Sequence, residues 1–150
     1  MPAFITFGRI LFAVIFIASG AGKFLDLGVA ADMIASKVIP TLPEQVTPYA
    51  QQLEQLAGMD LKQILAIATA VLELVGGIMI ALNIGARFFA LVMVLFVMAA
   101  TFYFHDFWNL TGADAKAQMI HALKNLSLIG GLFMIAGIGK GPRLDGYAAA

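Results

Sequence analysis

One carboxylate in the sequence stands where an ionised group is costly. Glu73 lies inside an apolar run from Ile64 to Leu82, and in a membrane helix it would be near the bilayer midplane, where a charge needs a partner. The candidate cations are Arg9 in the first apolar run and Lys124 in the last, since long basic side chains reach inward from helix ends. A carboxylate within about 4 to 6 Å of a cation stays ionised, whereas one facing only apolar groups takes up a proton. Glu73 is therefore predicted to be either a structural clamp or a proton carrier.

The structural interpretation is an ion pair between Arg9 and Glu73 that fixes the register of two helices. Small residues would let the helix backbones approach one another closely in the membrane. The helix-packing glycines predicted in this way are Gly76, Gly77, Gly130 and Gly131.

The functional interpretation is a polar pocket between the helices, closed on its outer side by the long connection that follows the first apolar run. Such a pocket suits a small amphipathic ligand with a polar head. The predicted lining residues are Arg9, Glu73, Lys124, Asn125 and His121.

Two histidines fall at the outer ends of their predicted helices. His105 and His121, with Asp106 beside the first, are the residues to consider for a metal or a bis-histidine haem site. No third well-placed ligand and no haem motif accompany them. We therefore expect helix-end residues here, with neither a metal nor a haem.

The composition indicates an integral membrane protein. Of the 150 residues, 61% are hydrophobic and 12% are charged, with a mean hydropathy of +0.93. Nine basic and nine acidic residues cancel without a basic block, so nucleic acid is not expected as a partner. The absence of cysteine excludes a thiol redox pair and a thiolate metal site within this chain.

Hydropathy predicts an all-α membrane protein, a single domain over residues 1–150 built as an antiparallel bundle of four transmembrane helices. The spans are expected at about residues 4–22, 62–82, 87–104 and 118–138. A long, partly helical connection joins the first two spans, with amphipathic stretches from Val29 to Ile39 and from Thr47 to Ala57. Asp60 is expected to cap the second span, and residues 109–117 are expected to form a polar loop.

The first apolar run also fits a cleaved signal peptide, because it ends in small residues. Its length favours a retained membrane helix, and so does the recurrence at helical spacing of Arg9, Ala13, Phe16, Gly20 and Lys23.

The basic residues divide between the two sides of the four predicted spans. Four basic residues lie on the side of the chain termini and five lie on the other side. Every arginine lies on the side of the termini, in a short segment, and this distribution favours cytoplasmic termini. The two groups are Arg9, Arg87, Lys140 and Arg143 against Lys23, Lys37, Lys62, Lys116 and Lys124.

An ordered set of short motifs resembles the DoxX family over nearly the whole chain. The motifs are Gly8-Arg9, Ser19-Gly20-x-x-Lys23-Phe24, Glu73-Leu74-Val75-Gly76-Gly77, Gly85-x-Arg87, Lys124-Asn125 and Gly130-Gly131. The resemblance implies a four-helix protein of the bacterial inner membrane whose first segment is retained. The family takes its name from a subunit of a membrane thiosulfate:quinone oxidoreductase.

The resemblance therefore implies a subunit or accessory protein of a quinone-linked redox system, with a quinone as ligand and a partner subunit for any thiolate chemistry. No self-sufficient catalytic motif is present, so the sequence does not decide whether the chain is an enzyme. The alternative is a non-enzymatic protein, either a transporter of a small solute or a membrane assembly protein, in which the buried charges are structural. Homo-oligomerisation is compatible with both.

Overall fold

A computed structural model of the chain describes residues 2–138, and this part of the chain is helical without any strand. Four of its helices are long and apolar enough to cross a membrane. The predicted fold class, an all-α membrane protein with four spanning helices and a partly helical connection, is confirmed. The basic tail with Lys140 and Arg143 lies outside the described residues. The α-helices are α1 (Pro2–Leu25), α2 (Leu27–Lys37), α3 (Thr47–Ala57), α4 (Leu61–Leu82), α5 (Ala86–Phe104) and α6 (Gly112–Ile138).

The spanning helices α1, α4, α5 and α6 have the length that a bilayer requires. The 22 residues of α4 rise about 33 Å, against a hydrocarbon core of about 30 Å. Residues 83–85 separate α4 from α5, with Asn83 (φ 61°) and Gly85 (φ 57°) in the left-handed region. Both residue types adopt this conformation readily, which makes so short a hairpin feasible.

The connection between α1 and α4 contains α2, α3 and two short 3-10 turns, Ile39–Thr41 and Glu44–Val46. The side chain of Asp26 caps α2 by accepting a hydrogen bond from the Val29 N–H at 3.2 Å. After α3 the chain turns at Gly58, whose φ is +65°.

This turn brings α3 back to the start of α4. The carboxylate of Glu54 accepts a hydrogen bond from the Leu61 N–H at 2.7 Å, and the Gln63 side chain accepts one from the Asp60 N–H at 3.3 Å. Glu54 thus satisfies an N–H at the start of α4 from the preceding helix, and a cap by the Asp60 side chain stays a prediction.

The last spanning helix begins earlier than expected. Residues 112–117, predicted as part of a polar loop, form the first turns of α6. Three of them are alanines, the strongest helix former, and Asp114 in the first turn complements the helix dipole. Their polarity indicated exposure rather than the absence of a helix.

The chain divides into two compact units. The connection unit is residues 16–75, and the terminal unit is residues 2–15 and 76–138 of the described chain. In the terminal unit α5 and α6 pack against one another and run antiparallel. Hydrogen bonds join Arg87 at the start of α5 to Gly137 at the end of α6, and Thr101 near the end of α5 to Asn125 in the middle of α6. Large apolar side chains on their outer faces, such as Leu95, are exposed, as a hydrocarbon environment favours.

Candidate functional site

Glu73 on α4 is the buried carboxylate of the connection unit, with 5% of its surface exposed. The Ser19 hydroxyl lies 3.1 Å from each of its carboxylate oxygens and can donate to either. The Lys23 ammonium contacts the same carboxylate through Oε2. One hydroxyl and one cation from α1 thus satisfy a charge that would otherwise be costly in an apolar helix.

The spacing on α1 creates this arrangement. Ser19 and Lys23 stand at positions i and i+4, so they lie one above the other on the same helix face. Between them Gly20 makes the closest approach: a Cβ there would lie 2.6 Å from the Leu74 nitrogen and 2.8 Å from the Ala70 oxygen. The missing side chain lets the backbones of α1 and α4 meet beside Glu73.

The cation that contacts Glu73 was not the one put forward from the sequence. The sequence favours Arg9 and Lys124 as partners, and Lys23 enters it only as a charge just beyond the first expected span. The missed signals were the i, i+4 spacing of Ser19 and Lys23 and the reach of a lysine side chain back along its helix.

The other predicted pocket residues belong to the terminal unit. The Asn125 amide donates to the Thr101 hydroxyl at 2.9 Å, and that hydroxyl donates to the Val97 carbonyl at 2.6 Å. The first of these bonds joins α6 to α5, and the second lies within α5. Lys124 is exposed, and Arg9 lines a cavity between α1 and α6.

The two histidines of the terminal unit lie together at one end of α5 and α6. The rings of His105 and His121 are stacked, with centroids 5.2 Å apart and an interplanar angle of 12°. His105 Nδ1 lies 2.8 Å from Gln118 Oε1. Within residues 2–138 no group of three or more His, Cys, Asp or Glu side chains could hold a metal ion, and the set with Asp106 therefore provides no such site.

The predicted packing glycines have different surroundings. A Cβ at Gly131 would lie 2.5 Å from the Phe12 ring, and one at Gly76 would lie 3.0 Å from the Met93 sulfur. At Gly130 a Cβ would meet nothing within 4 Å. Gly77 is buried.

An apolar cavity of about 400 Å³ that is open to the surface, here called the aromatic cavity, lies between α5, α6 and the turn that joins them. Phe102, Phe107 and Trp108 contribute rings to its wall, and Thr101 is the hydroxyl-bearing residue in its lining. The sequence does not predict this cavity, because the cavity depends on how α5 and α6 pack.

Four spanning helices and a charge buried between two of them define a multi-pass membrane protein. The chain belongs to the DoxX family, whose family model matches residues 4–106. The inner membrane protein YphA of Escherichia coli (strain K12) is 24% identical over 140 residues, which cover 93% of this chain and 86% of YphA. No solved structure matches the chain. The protein is thus a multi-pass protein of the bacterial inner membrane, as the sequence resemblance implied.

Proposed function

We propose that this inner-membrane protein binds a quinone-like amphiphile in the aromatic cavity and serves as a subunit or accessory protein of a quinone-linked redox system. The observation that carries the proposal is the aromatic cavity itself, which has the size and apolar lining of a small-molecule site. Aromatic rings stack on the flat head of a quinone. A partner subunit would supply any thiolate chemistry, because this chain has no cysteine.

Thr101 provides the polar contact in this proposal. Its hydroxyl already donates to Val97 and accepts from Asn125, and a hydroxyl oxygen has two acceptor lone pairs. The remaining lone pair can accept from the hydroxyl of a reduced quinol. Both the oxidised and the reduced ligand should therefore be tested.

Tryptophan fluorescence can report quinone binding directly, because Trp108 lines the cavity and is the only tryptophan of the chain. A short-chain ubiquinone analogue, oxidised or reduced, is titrated into the detergent-purified protein while tryptophan fluorescence is recorded. We expect saturable quenching. Ala122→Phe, which fills the cavity, should weaken binding about tenfold or more.

Ala117→Phe is the matched control, since Ala117 is an exposed residue of the same helix. This variant should bind the analogue as the wild type does. Quenching that never saturates and is identical in all three proteins would mean simple partition into detergent and would contradict the proposal.

A second candidate function is favoured by the contacts of Glu73. In a non-enzymatic transporter or membrane assembly protein the buried charges only hold helices together, and the bonds from Ser19 and Lys23 suit that role. This candidate predicts no saturable quinone binding. The wider polar pocket of Arg9, Glu73, Lys124, Asn125 and His121 stays a prediction.

A further inference from the structure

A second cavity, here called the Arg9 cavity, lies between the first half of α1 and the last turns of α6. Its volume is about 260 Å³, and its walls are apolar apart from Arg9, with Phe4, Phe12, Met134 and Ile138 among them. Beside Arg9, a Cβ added at Gly8 would meet no atom within 4 Å. The absence of a side chain at Gly8 therefore leaves open space next to the arginine.

Arg9 is a cation without a partner in the part of the chain that the structure describes. Its Nε atom is buried and makes no hydrogen bond. A buried N–H that has lost its water without gaining an acceptor destabilises the protein. An acceptor brought by a ligand would remove that cost, and a negatively charged acceptor would also neutralise the guanidinium.

The charges around the cavity favour an anion. The acidic residues of the described terminal unit are Asp106 and Asp114, close to the beginning of α6, whereas the Arg9 cavity lies at the other end of that helix. A second arginine, Arg87, donates to the Gly137 carbonyl at 3.4 Å at this same end. Two arginines thus stand where the described unit has no carboxylate.

The depth of Arg9 in the membrane favours the phosphate of a lipid head group as the anion. The residue lies about two helical turns, roughly 10 Å, from the beginning of α1. From that depth an arginine side chain reaches the head-group boundary of the bilayer, where lipid phosphates lie. The planar guanidinium can bind two phosphate oxygens at once.

We propose that the Arg9 cavity binds an anionic phospholipid, with the phosphate on Arg9 and an acyl chain along the apolar walls. The site is separate from the aromatic cavity and does not depend on a quinone. A zwitterionic lipid carries the same phosphate, but its cationic group is repelled by Arg9 and Arg87. The site therefore discriminates by head-group charge.

The experiment uses native mass spectrometry of the purified full chain in detergent. Phosphatidylglycerol, phosphatidylcholine with the same acyl chains, and glycerol phosphate without chains are added in turn. We expect one phosphatidylglycerol to be retained per chain, phosphatidylcholine to bind about tenfold more weakly, and glycerol phosphate not to bind. Equal retention of the two lipids, or equal binding of glycerol phosphate, would overturn the proposal.

Variants locate the site. Arg9→Gln should abolish the preference for phosphatidylglycerol, whereas Lys124→Gln, the same charge change at an exposed position, should keep it. Met134→Trp fills the cavity without changing the charge and should also reduce lipid retention, which keeps the proposal testable if Arg9→Gln does not fold. Unchanged lipid retention in Met134→Trp, or a preference for phosphatidylglycerol that survives in a folded Arg9→Gln protein, would show that the lipid binds elsewhere.

Discussion

The stability of a carboxylate inside an apolar helix depends on which groups its oxygens meet. The Ser19 hydroxyl and the Lys23 ammonium both reach Glu73 from α1. The Lys23 side chain is 27% exposed and that of Glu73 only 7%. The lysine thus keeps part of its hydration while the carboxylate depends almost wholly on protein partners.

Removing the lysine charge should therefore destabilise the protein more than removing both charges. We expect Lys23→Met to lower the free energy of unfolding by about 2–3 kcal/mol, because it leaves a buried carboxylate without its cation. The double change Lys23→Met with Glu73→Leu should recover much of the loss, because no charge is left unpaired. Unfolding in detergent followed by circular dichroism measures both.

The matched control is a second lysine–carboxylate pair in the connection unit. Lys62 lies 3.1 Å from Asp32, whose side chain is 75% exposed, and Lys62→Met should cost at most about 1 kcal/mol. A double variant no milder than Lys23→Met would show that the two charges do not act as a pair.

The sequence shows that Glu73 needs a cation, but it does not identify which basic residue supplies it. An apolar run around Glu73 is enough to require a cation, because the cost of a bare charge follows from the solvent alone. The choice of Lys23 over Arg9 or Lys124 depends on how α1 and α4 pack, and apolar periodicity does not encode that register.

The packing of α1 on α4 depends on one position without a side chain. A Cβ at Gly20 would press on backbone atoms of Ala70 and Leu74, and backbone in the middle of a helix cannot move aside as a flexible side chain can. Gly20 therefore sets the distance between the two helices, and through it the contacts of Glu73.

Gly20→Ala should separate α1 from α4 and cost about 1–3 kcal/mol of unfolding free energy. Gly22→Ala in the same helix is the control, because its Cβ would meet nothing within 4 Å; it should be neutral or stabilising by up to about 1 kcal/mol. Unfolding in detergent compares the two variants. Equal effects would mean that the close approach at Gly20 does not limit the packing.

The four spanning helices could be predicted, because length and hydropathy alone identify them. The first residue of α6 could not be predicted, since residues 112–117 are polar enough for a loop and rich enough in alanine for a helix. The aromatic cavity and the Arg9 cavity were beyond prediction as well, because each requires knowing which helices are neighbours.

For the whole molecule, the four spans require the connection and the α4–α5 hairpin to lie on opposite sides of the membrane. The arginines at positions 9 and 87 lie in or beside short segments on the side of the hairpin and the N-terminus, which favours the cytoplasm for that side. The connection, with the lysine at position 37, and the start of α4, with the lysine at position 62, would then face the periplasm.

The cysteine-free chain allows this orientation to be tested without background labelling. Ser36→Cys places a thiol at an exposed position of α2, and Ile84→Cys places one in the hairpin, where Ile84 is 52% exposed. A membrane-impermeant maleimide should label Ser36→Cys in intact spheroplasts and Ile84→Cys only after lysis, while the wild type stays unlabelled. The reverse pattern would put the termini outside. Labelling of both thiols from one side would contradict four spans, because the chain crosses the membrane once between these positions.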